Sequence, residues 1–249
     1  MKLIQALGLD RARLVSICGA GGKTSLMFAL ARAWVAAGER VLITTTTKIA
    51  TAEAEGPWPV VTDDWANASG PAVIAVSGPA KDGRRLAGIA PDIIDGLRAG
   101  DTFDRIVVEA DGAADRPLKA PAGHEPVIPS ATDNLVIVAG LNGLGLPLDE
   151  DTVFRSDLWA ARTGLVLGAP VTPESLARMV VDDNGLAKGC PAGATRTLFL
   201  NRADHPARLL AARAVADILV TAPVHRPARV AAGWLLPSPA IAFSEVTGR

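Results

Sequence analysis

Leu14-Val15-Ser16-Ile17-Cys18-Gly19-Ala20-Gly21-Gly22-Lys23-Thr24-Ser25 decides how the rest of the chain is read. An apolar run runs into a glycine-rich turn, and Lys-Thr then opens a stretch rich in alanine and leucine. That order spells strand, tight loop, helix. Main-chain N–H groups in such a loop converge on one point, and the positive end of the following helix dipole adds to their pull on anions. A lysine at the loop's end reaches outer phosphates, and a threonine hydroxyl there can ligate Mg²⁺. Gly19, Ala20, Gly21, Gly22, Lys23, Thr24 and Ser25 are therefore the candidate phosphate-binding residues, with Thr24 a candidate metal ligand and Lys23 a candidate catalytic residue. The common G-x-x-x-x-G-K-T spacing would need glycine where Ile17 stands. The loop is a compact variant with fewer main-chain donors.

Outward from this stretch, residues 22–37 predict a helix ended by Gly38. Val41 to Thr44 predicts a strand, which makes a parallel βαβ unit. Further buried strands are expected at 72–76, 103–109, 135–139 and 197–200. A hairpin is expected across 77–88, and helices at 91–97, 153–161, 173–181 and 206–220. Thr172 is placed as an N-cap, with Pro173 at the first helical position. Met1 to Leu9 predicts a short helix, and Ala50 to Gly70 is irregular. Without repeats or a linker, the chain reads as one α/β domain with a mostly parallel sheet in a three-layer, P-loop NTPase-like arrangement. The domain spans 1–249 with its core at about 13–221. The tail, 222–249, carries prolines at 223, 227, 237 and 239 and is expected to be irregular, with room for one edge strand.

Composition limits the partners. The 249 residues are 49% apolar and 20% charged, with a net charge of −1, so a packed core is expected and bulk attraction to nucleic acid or an anionic membrane is not. No apolar run reaches the ~18 residues of a membrane span. The N-terminus lacks the marks of a signal peptide. Cys18 and Cys190 are far apart and belong to no Cys/His cluster, so no zinc site is expected; a lone disulfide or two reduced thiols both fit. The expected compartment is the cytoplasm.

Later segments supply what a nucleotide needs. Glu109 and Asp111 end an apolar strand two residues apart, which puts both on one side. Paired carboxylates beside a phosphate chain commonly hold Mg²⁺ or orient water, so both are candidate catalytic and metal-binding residues. Thr45, Thr46, Thr47 and Lys48 sit at another strand end, as a hydroxyl-rich lining that senses a terminal phosphate. Asn201-Arg202-Ala203-Asp204 resembles the Asn-Lys-x-Asp base-reading motif of GTPases, with arginine for lysine, which makes Asn201 and Asp204 candidate base contacts. The rival reading is a turn in which Asp204 caps the next helix. Lys119 and His124, on a proline-rich connection, are left without an assigned role.

The joint set is Gly-Ala-Gly-Gly-Lys-Thr (19–24), Thr-Thr-Thr-Thr-Lys (44–48), Glu-Ala-Asp-Gly-Ala (109–113), Leu-Lys-Ala-Pro (118–121) and His-Glu-Pro-Val-Ile-Pro (124–129). In that order it resembles the YqeC family, accessory proteins of selenium-dependent molybdenum hydroxylases. The compact loop by itself is similar to that of Mur-type ligases. The resemblance implies a P-loop NTPase-like fold, a partner that is a molybdenum hydroxylase or its cofactor, and a role in maturation or cofactor insertion. The expected function is Mg²⁺-dependent binding and hydrolysis of ATP or GTP. Two alternatives stay open: an ATP-dependent ligase or kinase acting on a small molecule, and a non-catalytic binder of a nucleotide-bearing molybdenum cofactor.

Overall fold

Apolar runs rich in valine, isoleucine and leucine form the strands, and alanine- and leucine-rich runs form the helices. A computed structural model of the chain describes residues 2–54 and 56–247. Met1 of the expected N-terminal helix, Glu55 of the irregular stretch, and Gly248 and Arg249 of the tail lie outside the described residues. The chain opens with α1 (Leu3–Leu7), β1 (Leu14–Gly19), α2 (Lys23–Ala36) and β2 (Val41–Thr45). Short elements follow: β3 (Lys48–Ala50), α3 (Thr51–Ala54), β4 (Val60–Val61), β5 (Ala72–Ala75), β6 (Gly78–Pro79) and β7 (Arg85–Ala87). The middle holds α4 (Pro91–Ala99), β8 (Arg105–Glu109), β9 (Leu118–Lys119), β10 (Asn134–Gly140) and β11 (Val153–Phe154). The chain closes through α5 (Ser156–Thr163), α6 (Pro173–Val181), β12 (Thr195–Asn201), α7 (Pro206–Val220), β13 (Arg229–Trp234) and β14 (Ala240–Val246).

The central sheet has nine strands in the order β14-β13-β12-β10-β1-β8-β2-β5-β4. Every neighbouring pair is parallel except β13 and β14. β1 and β2 are parallel, as the βαβ reading requires, but β8 lies between them. Alternate residues of one strand enter different cores, as the two-residue period of a strand demands. Val136 and Val138 of β10 pack with α2 residues such as Leu26 and Leu30. Leu135 and Ile137 pack with Leu176 and Val215 of α6 and α7. Helices therefore cover both faces, and the fold is a three-layer α/β domain. Strands buried on both faces read as continuous apolar runs, which is why they stand out in the sequence.

Two expectations need correction. The tail is not irregular: β13 continues the parallel sheet beside β12, and β14 closes it antiparallel. Pro223 and Pro227 precede β13, and Pro237 and Pro239 sit in the turn before β14, so the prolines bound strands instead of breaking them. The expected helix at 153–161 starts only at Ser156, because Val153 and Phe154 pair with Leu118 and Lys119. Thr172 caps α6 as expected, in a reciprocal capping box with Ser175. Both cysteines are free thiols, and the buried Cys18 donates to Leu186 O at 3.1 Å. Burial raises the Cys18 thiol pKa well above its usual value, which leaves it an inert packing group. No helix among the described residues is long and apolar enough to cross a membrane.

Truncation after Thr221 tests the corrected tail. It removes β13 and β14, uncovers the β12 edge, and deletes the buried Val230, Ala231, Ala232 and Phe243. The expected loss is more than ~5 kcal/mol, comparable with the whole stability of a domain. Thermal circular dichroism should show no cooperative transition; an unchanged melting curve would contradict the assignment of the tail to the core.

Candidate functional site

The C-terminal ends of β1, β8, β2 and β12 meet at one edge of the sheet. The chain leaves β1 towards β2 and β5 on one side and later fills β10, β12 and β13 on the other. In open α/β sheets such a reversal leaves a crevice at the strand ends, where ligands bind. Here that crevice is a cavity of about 470 Å³. Gly21, Gly22, Lys23, Thr24, Ser25 and Glu109 line one wall, and Lys48, Arg85, Arg116 and Arg202 line the others.

The loop is compact because its neighbours leave no room. A Cβ on Gly21, at φ +82°, would lie 2.5 Å from Gly140 N and 2.6 Å from Pro117 O. The Gly19 N–H donates to both Asp111 carboxylate oxygens, at 3.1 and 3.2 Å, and the Ala20 N–H donates to Val138 O at 2.9 Å. Gly19 and Ala20 therefore build the base of the loop, and their amides are not available to a phosphate. The first N–H groups of α2 differ. The N-cap is Gly22, which has no side chain to cap them. A helix start leaves such donors without intrahelical acceptors.

Lys23 is 5% exposed and lies 3.6 Å from both Glu109 and Asp111. Burial alone would depress its pKa; the two carboxylates more than offset this and raise it. Lys23 is thus held as an ammonium. The Thr24 hydroxyl donates to Glu109 Oε2 at 2.8 Å, so a hydroxyl and a carboxylate oxygen stand together at the loop's mouth. Hard oxygen donors of this kind suit Mg²⁺, which keeps several waters and takes few protein ligands. No group of three or more His, Cys, Asp or Glu among the described residues could hold a metal by itself. Any Mg²⁺ here would need phosphate oxygens and water to complete its shell.

Asp111, expected as a metal ligand, is already engaged within the chain. Besides Gly19 N–H and Lys23, it pairs with Lys119 at 2.8 Å, and it is 1% exposed. Its carboxylate braces the loop. Lys119 is fully buried and also binds Glu125 Oε2 at 2.8 Å and Gly112 O at 2.5 Å. Arg155 holds Glu125 from the other side, at 2.7 and 3.2 Å. Charges alternate from the loop outward: Lys23, Asp111, Lys119, Glu125, Arg155. Burial would raise the Glu125 pKa, but hydrogen bonds from Arg155 and Lys119 bring it down to about 2. His124 sits at the outer end of this network, its Nε2 3.9 Å from Glu125 Oε1 and its side chain 79% exposed.

The hydroxyls of the expected threonine lining have partners within the chain. Thr45 Oγ1 donates to Glu109 O at 2.8 Å, and Thr46 Oγ1 donates to Val127 O at 2.7 Å. Thr47 Oγ1 lies 3.2 Å from Thr45 Oγ1. These hydroxyls tie the end of β2 to neighbouring segments instead of facing the cavity; Lys48 does face it. Asn201 is buried against the loop, its Nδ2 donating to Gly21 O at 2.7 Å. Asp204 is exposed and pairs with Arg208 at 3.1 Å. It neither lines the cavity nor caps α7, whose N-cap is His205. Sequence reasoning missed Arg85, Arg116 and Arg202 as cavity residues. Only Arg202 carried a signal, its adjacency to Asn201.

The depressed Glu125 pKa gives a pH dependence. The unfolded value is near 4.5 and the folded value about 2, so the stabilisation is complete above pH ~4.5 and is lost as pH falls towards 2. At 1.36 kcal/mol per pKa unit this amounts to about 3 kcal/mol. Urea unfolding at pH 7 and pH 3 should show a smaller loss on acidification in Glu125→Gln than in wild type, and a lower stability at pH 7. Equal acid losses in the two proteins would contradict this pairing.

Comparison with known proteins follows the same residues. The family model described as "YqeC protein" matches residues 15–157, which include all of β1 but Leu14, the loop, Lys23, Glu109, Asp111, Lys119 and Glu125. A protein of Escherichia coli (strain K12) named "Uncharacterized protein YqeC" is 36% identical over 198 residues, covering 77% of this chain and 77% of its own length. The chain belongs to the YqeC family.

Proposed function

We propose that the cavity binds Mg²⁺ with ATP or GTP and that the protein hydrolyses the nucleotide. One observation carries the reading: uncapped helix N–H groups, a buried ammonium and a hydroxyl–carboxylate pair converge on a single cavity at a sheet's C-terminal edge. The N–H groups of Gly21 to Thr24 would take the β- and γ-phosphates, and Lys23 would move from its carboxylates onto phosphate oxygens. Thr24 and Glu109 would hold Mg²⁺, which neutralises charge on the phosphates when bound. Glu109 would also orient the attacking water. Asp111 would keep the loop in place through Gly19 N–H. The resemblance noted from the motif set supplies the setting for this activity: maturation of a molybdenum hydroxylase, or insertion of its cofactor, in the cytoplasm.

A second reading, transfer of phosphate to a small acceptor as in a kinase or ligase, is favoured by the cationic side chains of the cavity wall. Under this reading nucleotide turnover stays negligible until the acceptor is present.

A thermal-shift panel of ATP, GTP and CTP, each with and without Mg²⁺, tests the main reading. Ligand at a hundred times its Kd stabilises by about 2.7 kcal/mol, an increase of roughly 5–10 °C for a chain of this size. The expected result is a Mg²⁺-dependent increase with ATP or GTP in wild type, and none in Lys23→Ala measured against its own melting temperature. Absence of any nucleotide shift in wild type would overturn the proposal.

A further inference from the structure

Part of the cavity wall is built by a small antiparallel sheet, β3-β7-β6. Lys48 pairs with Ala87, and Ala50 with Arg85. Paired residues, and residues two apart on one strand, share a face, so Lys48, Ala50 and Arg85 form one surface, and all three line the cavity. The opposite surface carries Ile49 and Leu86, which pack into the hydrophobic core beside α2. The sheet is seated firmly on the end of β2. Gly88 N–H donates to Thr47 O and Ile89 N–H to Thr45 O, and a Cβ on Gly88 would lie 1.9 Å from Thr45 O. The cationic face is therefore held in place in the cavity wall.

Arg202 enters the same cavity from the end of β12. It has φ +66°, a left-handed conformation uncommon for any residue but glycine. Its backbone is fixed on both sides: Asn201 is bonded to the loop, and the buried Ala203 donates its N–H to Gly233 O at 2.9 Å. Strain held this way concentrates at ligand sites. Neither Lys48 nor Arg202 has an ion-pair partner among the described residues. Among the described residues Arg85 has an ion pair with the exposed Asp82, at 2.6 Å, and Arg116 with the exposed Asp151, at 3.5 Å, while Arg116 also donates to Glu150 O and Ala114 O. In all, the cavity wall presents five cationic side chains against two carboxylates, Glu109 and Asp115. A nucleotide's phosphates would be matched on the loop side by main-chain donors, Lys23 and the metal. The remaining cations are then in excess.

We infer that the cavity carries a second anion subsite, in which Lys48 and Arg85 of the small sheet and Arg202 from beyond the end of β12 bind the phosphate group of a phosphate monoester alongside the nucleotide. Such a group carries close to two negative charges near pH 7 and matches the planar donor fork of arginine. The inference rests on the reading of the loop as the nucleotide's phosphate seat.

Calorimetric titration of glycerol 3-phosphate, with glycerol as control, into the full chain saturated with Mg²⁺ and a non-hydrolysable nucleotide analogue tests the inference. The loaded protein should bind the ester and not glycerol. Arg202→Gln and Arg85→Gln should each weaken the ester about tenfold or more, the scale of a lost charge-assisted hydrogen bond, while nucleotide affinity stays within about twofold. No ester binding, or an equal loss of nucleotide affinity in Arg202→Gln, overturns the subsite; the latter assigns that arginine to the nucleotide's own phosphates. If the chain takes no nucleotide, the same titration is run on the bare protein. Ester binding lost in Arg202→Gln and kept in Lys23→Met retains the subsite while the nucleotide reading falls. Ester binding lost only in Lys23→Met, or absent altogether, overturns the subsite.

Discussion

A lysine ammonium that is 5% exposed cannot stand alone, and the architecture around Lys23 follows from satisfying it. Burying an unpaired charge costs several kcal/mol. Glu109, at the end of β8, and Asp111, just beyond it, meet that cost, each with a carboxylate oxygen 3.6 Å from Lys23 Nζ. Asp111 is itself buried and needs Lys119; Lys119 needs Glu125, and Glu125 needs Arg155. The partners beyond Asp111 come from separate segments: Lys119 from β9, Glu125 from the loop after it, and Arg155 from the residue before α5. Removing a member therefore leaves a buried charge unmatched, a loss of about 3–5 kcal/mol in comparable buried pairs. Under the proposed reading Lys23 is exchangeable: an arriving phosphate would offer the ammonium an equivalent anion, and a divalent cation would take the ammonium's place beside Glu109.

The parallel sheet is what brings the parts together. β1 delivers the loop, β8 the carboxylates, and β12 the asparagine that holds Gly21 O, all at one edge. Close packing of Gly21 against Gly140 and Pro117 shapes the loop. Ile17 belongs to the core of β1, so the loop begins two residues later than in the longer phosphate-loop pattern. The first N–H groups of α2 have no side-chain cap, and under the proposed reading so short a cradle would depend more heavily on Lys23 and on metal.

Some of this was legible from residues alone. The strand–loop–helix at 14–37 combines a short apolar run, glycines and a helical composition, all of them local signals. The shared side of Glu109 and Asp111 follows from strand periodicity. Other features depend on contacts distant in sequence. The alanine-rich β13 has weak strand propensity and gains its place from the exposed edge of β12. The threonines at 45–47 looked available because a hydroxyl run reveals nothing of the carbonyls that return to meet it. Asp111 was expected at metal, but the Gly19 N–H and Lys119 that occupy it come from elsewhere in the chain. The Arg85 and Lys48 face exists only once β3 and β7 fold back over the strand ends.

The most direct test of the account is a crystal structure of the chain with Mg²⁺ and a non-hydrolysable analogue of ATP or GTP. The account predicts phosphate oxygens on the N–H groups of Gly21 to Thr24, Lys23 Nζ shifted from Glu109 and Asp111 onto phosphate, and Asp111 still bonded to Gly19 N–H and Lys119. A nucleotide bound elsewhere, or a bound nucleotide with Lys23 still paired to both carboxylates, would contradict it.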